Sequence, residues 1–192
     1  MSDLLDAQLR AHIRTAEGTA ALLGDVRAIG TLLISAFEAG GTLYTFGNGG
    51  SAADAQHFTG ELIGHYRRDR RPLPAVTLTT DATVSTCIAN DYSFEDVFSR
   101  QVEALARPGD VVAAFTTSGR SANIVKGLAA ARANGATTLL FAGGDGGDSL
   151  RLADHALLAP STETPRIQEL HTFLLHALSE ILDAWAAGEE LA

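Results

Sequence analysis

The chain has 192 residues, 46% of them apolar and only 6% aromatic, with 19 glycines, which suits one compact α/β domain and excludes a disordered or fibrous chain. A formal net charge of -9 at pH 7 argues against autonomous nucleic-acid binding, which needs a basic face, but leaves room for a small phosphorylated ligand held by backbone N–H groups. Cys87 has no second cysteine to pair with, the N-terminal MSDLLDAQLRAHIRTAEG is unlike a signal peptide, and no run approaches the ~20 apolar residues of a membrane span; a cytoplasmic protein with neither nucleic acid nor membrane as partner is expected.

Apolar residues Leu4, Leu5, Leu9 and Ile13, then Leu22, Leu23, Val26, Ile29, Leu32, Leu33 and Phe37, recur at spacings of three and four. That periodicity predicts two amphipathic helices over about residues 3–39, parted near Gly18 or Gly24 and stopped by Gly40-Gly41. Their apolar stripes must be buried, in a bundle between subunits or on their own domain. Strand-like runs follow at 42–46, 75–78, 111–115, 137–141 and 155–159. Helical patterns lie between them near 52–66, 94–106 and 121–134, with a short one near 148–153 and a last one over 164–187. Repeated β–loop–α predicts a largely parallel sheet covered on both faces, in a single domain whose α/β core spans about 41–187. Ligands of such sheets bind where strands run into helix N-termini.

Three loops after strands are rich in small polar residues. GNGGS (47–51) lets the backbone approach a ligand closely, and Ser51 is a natural N-cap for the helix it opens. TTSGRS (116–121) concentrates four hydroxyls in six residues, more than capping by Ser121 requires, and could hold a phosphoryl group without a lysine. TTDATVS (79–85) repeats that chemistry, and NDYSFED (90–96) offers Asn90 and Asp91 either to sugar hydroxyls or as turn formers. GGDGGDS (143–149) reads as a turn without chemistry. No G-K-[ST] follows the first loop and no G-x-G-x-x-G is present, so neither ATP nor a dinucleotide is the expected ligand.

His57 and Glu61 stand four apart on the predicted helix 52–66 and so share one face. They could be two ligands for a borderline metal such as zinc, or a surface His–Glu pair. In RIQELHTFLLH, Gln168 shares a face with His171 and lies about 80° around the axis from His176. Spacing alone cannot choose between the two histidines.

In this order and spacing, FGNGGSAADAQHFTGEL, LTTDATVSTCIANDYSFEDVFSRQVEALARPGDVV, TTSGRSAN and RIQELHTFLLH resemble the phosphoheptose isomerases, enzymes of the sugar isomerase (SIS) domain, over about residues 10–185. The resemblance implies a three-layer αβα sandwich, with a flavodoxin-like five-stranded parallel sheet and two extra N-terminal helices. It implies isomerisation of sedoheptulose 7-phosphate to D-glycero-D-manno-heptose 7-phosphate by a homotetramer with sites near subunit interfaces and one Zn2+ per subunit. His57, Glu61, Gln168 and His176 match the metal-binding positions, and Glu61 and His176 also match the catalytic pair. Asn48, Gly49, Gly50 and Ser51, together with Glu61, Asn90, Asp91, Thr116, Thr117, Ser118, Ser121 and Gln168, match the substrate-binding positions, whereas His171 has no assigned role.

Ketose–aldose interconversion moves a proton between C1 and C2 through an enediol(ate), so it needs a carbon base and a proton shuttle for the oxygens. Glu61 would be the base and His176 the shuttle. Arg120 stands where many members carry Asn, and His65, read as one turn beyond Glu61, stands where some carry Arg; both could tune which heptose epimer is made. The basic run YRRDRR (66–71) reads as a solvated helix end. Two other readings are a non-enzymatic SIS protein that binds the replication initiator, and a SIS isomerase that makes a different heptose phosphate for a natural product.

Overall fold

Five short, largely apolar runs pair edge to edge in the computed structural model, which describes residues 2–189. The strands are β1 (Leu43–Gly47), β2 (Ala75–Thr77), β3 (Val111–Phe115), β4 (Thr137–Gly143) and β5 (His155–Ala159), all parallel in the order β2-β1-β3-β4-β5. The helices are α1 (Ser2–Gly18), α2 (Leu23–Glu38), α3 (Gly50–Ile63), α4 (Ala82–Asp91), α5 (Ser99–Leu105), α6 (Ala122–Ala133) and α7 (Thr164–Ala186). Because strand side chains alternate, Leu43, Ala113, Phe115, Leu139 and Phe141 face α2, α3 and α7, whereas Phe46, Val112, Ala114 and Leu140 face α5 and α6. Helices on both faces give the covered parallel sheet that the β–loop–α pattern predicts, in the three-layer, flavodoxin-like form that the family resemblance implies.

The N-terminal break falls just after Gly18, where a 3-10 turn, Thr19–Leu22, separates α1 from α2. The helical run Asp3–Glu38 is long and apolar enough, by length and composition, to cross a membrane, which the reading of the sequence does not anticipate. In the structure Val26, Ile29, Leu33 and Phe37 bury the face of α2 in the core with Leu174, Leu178 and Leu182 of α7. The stripe of α1 behaves differently, since Leu4, Leu5 and Leu9 are exposed on the single chain.

Other boundaries differ for local reasons. The expected helix 94–106 is a 3-10 turn, Phe94–Asp96, followed by α5, and the short helix near 148–153 is a 3-10 turn over Gly147–Leu152. The loops expected at 79–85 and 90–96 enclose α4, which buries only Ile88 and so shows no apolar stripe. Its signal was the N-cap, because the Asp81 carboxylate accepts the Val84 N–H at 3.0 Å.

Helix α3 stops at Ile63, so His65 and YRRDRR do not continue it and His65 does not share the face of Glu61. The basic run is solvated only in part: Arg67, Asp69 and Arg71 are exposed, but Arg70 is not. Asp183 of α7 has a fully buried carboxylate that accepts backbone N–H groups of Tyr66, Arg67 and Arg68 at 3.3, 2.9 and 2.7 Å. Arg70, with a side chain only 1% exposed, pairs its Nε with Asp183 at 2.9 Å and donates from its two Nη atoms to the carbonyls of Leu62 and Glu61, each at 2.7 Å. Arg68 adds Glu180 and Glu189. A buried carboxylate needs several donors to offset its lost hydration, and this turn supplies them from residues far from it in sequence.

Candidate active site

Helices α3 and α7 lie side by side on the sheet, and their facing residues form a ladder. Gly50 opens α3 against Gln168: a Cβ at residue 50 would collide with the Gln168 amide, so the glycine admits that side chain. One turn on, Thr172 donates to Asp54 at 3.1 Å. At the third rung His57 meets His176, their Nε2 atoms 3.2 Å apart, and the His57 Nε2 lies 3.1 Å from Glu61 Oε1. The i, i+4 spacing on α3 and the crossing of α7 thus bring three ligand-type atoms within 4.8 Å of one another. Two imidazole nitrogens facing each other beside a carboxylate oxygen form a donor set suited to a borderline divalent cation such as zinc.

The electrostatics of the cluster suit ligation and proton transfer. Burial first, and then the neighbouring His57, hold the His176 imidazole below its ordinary value, with Glu61 opposing and Arg67 adding to the depression. This shift favours the neutral imidazole, the form that carries a lone pair. Asp54, which sequence reasoning missed, is buried with Oδ2 unpartnered among the described residues, and burial raises its carboxyl against the opposing Thr172 hydrogen bond and His57. Its only sequence signal was a carboxylate three positions before a histidine, too common to single out.

His171 lies on the other side of α7. It is wholly buried, 3.3 Å from the Ala142 carbonyl and edge-on to Phe115 and Phe141, and desolvation pushes its pKa down to about 4. It is a neutral packing residue.

Beyond the first rung, a cavity of about 210 Å³ is lined by Asn48, Ser51, Gln168 and the loop residues Thr116, Thr117, Ser118 and Ser121. The N-cap of α3 is Gly49, not Ser51, which is buried inside the first turn. Asn48 and Asn123 exchange two amide hydrogen bonds of 2.9 Å; Asn123, unassigned from the sequence, anchors Asn48 to α6. Thr116 accepts the Gly119 N–H and Ser118 the Arg120 N–H, each at 3.2 Å, so these two hydroxyls shape the loop. Ser121 holds the N-cap position of α6 without a side-chain capping bond. Its hydroxyl and that of Thr117, which make no hydrogen bond among the described residues, are available to an anion at the helix N-terminus.

The GGDGGDS loop has a role that its sequence did not disclose, because it braces this hydroxyl loop. Ser149 bonds the Gly119 carbonyl through N–H and Oγ, both at 2.9 Å. Gly119 itself has φ +65°, and a Cβ there would fall on the Gly146 carbonyl. Gly119→Ala is accordingly expected to destabilise the fold by roughly 2 kcal/mol, read as a lowered Tm; an unchanged Tm would refute the brace. Arg120 pairs with Asp145 at 2.7 Å at the rim of a neighbouring cavity. Asn90 and Asp91 bond each other at the end of α4 and line neither of these cavities.

A parallel α/β sheet with an anion-receptive hydroxyl loop at its strand ends, and a His/Glu/His cluster further along the two helices that wall it, belongs to the class of α/β proteins that bind small ligands where strands run into helix N-termini. Comparison with known proteins makes that class specific. The SIS domain model matches residues 9–143. The phosphoheptose isomerase of Aquifex aeolicus is 49% identical over 152 residues, 79% of this chain and 80% of that protein. That of Paramagnetospirillum magneticum is 47% identical over 184 residues, covering 95% of this chain and 96% of the relative. The solved phosphoheptose isomerase of Neisseria gonorrhoeae superposes with a TM-score of 0.90 at 37% identity, over 95% of this chain and 98% of that one. The chain belongs to the SIS domain family and, within it, to the phosphoheptose isomerases.

Proposed function

We propose that this isomerase converts sedoheptulose 7-phosphate to D-glycero-D-manno-heptose 7-phosphate through an enediol(ate). The observation that carries the reading is the convergence of His57, Glu61 and His176 on two helices that also wall the hydroxyl-lined cavity. Thr117 and Ser121 hold the phosphate at the N-terminus of α6, Thr116 and Ser118 keep the loop in shape, and Asn48 with the backbone of Gly49, Gly50 and Ser51 meets the sugar. Asn90 and Asp91, which the cavity of one chain leaves out, join the site in the homotetramer. The exposed stripe of α1 is the surface that assembly buries. The whole chain acts as one domain, in the cytoplasm.

Glu61 takes the proton from C1 and returns it to C2, and neutral His176 accepts and returns the hydroxyl proton as the carbonyl moves between O1 and O2. His57, Glu61 and His176 would hold Zn2+, which supplies positive charge for the developing oxyanion, whereas Gln168, two turns away along α7 against Gly50, faces the hydroxyl-lined cavity and would meet the substrate instead. A carboxylate committed to a cation is a weaker base, so Glu61 divides its two tasks between stages of the cycle.

The test is incubation of zinc-loaded and chelator-treated protein with sedoheptulose 7-phosphate, with the product identified by NMR. Loaded protein should form the aldose, and chelation should remove most of the activity until zinc is restored. No turnover by loaded protein would sink the isomerase reading, and a different epimer would correct the product.

A further inference from the structure

The shuttle assigned to His176 depends on where its ring points. A histidine ring on a helix turns about a broad, roughly two-fold χ2, so its Nε2 faces His57 and Glu61 only if neighbours hold the plane. The edge of His57 meets it at 84°, with centroids 4.8 Å apart. Its flat side is covered by Tyr66, centroids 5.4 Å apart and planes 25° from parallel.

Tyr66 lies outside any helix, in the turn after α3, and that turn is held with unusual firmness for a loop. The Asp183 carboxylate, seven residues beyond His176 on the same helix, accepts N–H groups of Tyr66, Arg67 and Arg68. Arg70 joins Asp183 to the carbonyl of Glu61 itself. The buried ion pair thus ties together the end of α3, the Tyr66 turn and α7, the three segments on which the geometry of the cluster depends. The Arg67 guanidinium lies over the Tyr66 ring, 5.2 Å from its centroid.

We infer that Tyr66 is a positioning residue for His176, its ring fixing the plane of the imidazole from a turn clamped by Asp183 and Arg70. The inference rests on the proposed isomerase reading for its catalytic consequence, but its geometric half stands apart from it. Among the described residues the Tyr66 hydroxyl makes no hydrogen bond, so the ring face is what acts.

Two readouts on the full-length protein test this. In 1H–13C NMR spectra of histidine-labelled protein at one pH, the His176 Cε1–H signal, assigned by its loss in His176→Asn, should lie upfield because of the tyrosine ring current. It should stay there in Tyr66→Phe and move downfield in Tyr66→Ala and Tyr66→Leu. In turnover assays Tyr66→Ala should lower kcat about 10- to 100-fold with KM changed by less than about 3-fold, as expected for a misplaced group, while Tyr66→Phe restores the rate.

A His176 signal that is unmoved across the wild type and all three variants overturns the inference, as does full kcat in Tyr66→Ala. Loss in Tyr66→Phe equal to that in Tyr66→Ala does so too, since it would make the hydroxyl the active part. If Tyr66→Ala fails to fold, Tyr66→Leu, which keeps apolar bulk without a ring current, decides. If the wild type turns over no heptose phosphate, the isomerase reading fails and the NMR comparison decides positioning alone.

Discussion

Glu61→Gln is expected to reduce kcat/KM by about 10²–10⁴-fold, the range for removing a general acid–base group, while leaving the fold and assembly intact. The substitution keeps the shape of the side chain and removes only its capacity to accept a proton. Glu61 is partly exposed, and its side chain bonds only His57 at 3.1 Å among the described residues, so little stability is at stake. The residue also stands in the candidate metal cluster, and zinc content measured beside the rate separates the two roles. A variant that keeps its zinc and loses turnover places Glu61 as the base. A variant that loses both, and recovers turnover when zinc is raised, places it mainly as a ligand. Turnover retained at the wild-type zinc level removes Glu61 from the base role.

Asp183→Asn is the second large effect, and it falls on stability. Removing the charge from one partner of a buried ion pair strands the other, at a cost of about 3–5 kcal/mol, here the Arg70 guanidinium and three backbone N–H groups directed at one carboxylate. For a chain of this size that lowers Tm by roughly 10 °C, measured at fixed protein concentration because assembly also contributes.

The pH dependence has a definite sign. Burial by itself would raise the Asp183 carboxyl, but the N–H groups of Arg67, Arg68 and Tyr66 and the Arg70 side chain outweigh it, leaving the folded-state pKa below the ordinary 3.8. A depressed carboxylate contributes stability that is fully present above its unfolded-state value and is lost as pH falls through the folded-state value. The gap in Tm between wild type and variant should therefore be widest near neutrality and narrow as the pH is taken below about 4. A Tm within about 2 °C of wild type at pH 7 would show that the turn and α7 hold together without the charge.

Much of the architecture follows from local pattern alone, because a period of two or of 3.6 is written in neighbouring residues. The amphipathic α2 and α7 and the shared face of His57 and Glu61 could be read that way, and the five strands as short apolar runs between helical patterns. So could the density of hydroxyls in Thr116–Ser121, although the division of labour among them could not. Helix α4 escaped because a helix that buries only Ile88 carries no stripe, leaving the Asp81 cap as its one mark.

What only the tertiary structure decided is which faces meet. His171 and His176 both lie in one apolar helix, and the spacing from Gln168 accommodates either. Packing α7 on the sheet turns His171 toward Phe115 and Phe141 and leaves His176 to face His57 across the helix pair. The run YRRDRR looked solvated because isolated charges avoid burial; its partner, Asp183, is 113 residues from Arg70, beyond any local pattern. The same holds for the GGDGGDS brace and the Asn48–Asn123 pair. Backbone propensity and side-chain period are properties of a segment, whereas desolvation, ion pairing and ring orientation belong to contacts between segments, and those exist only once the chain has folded.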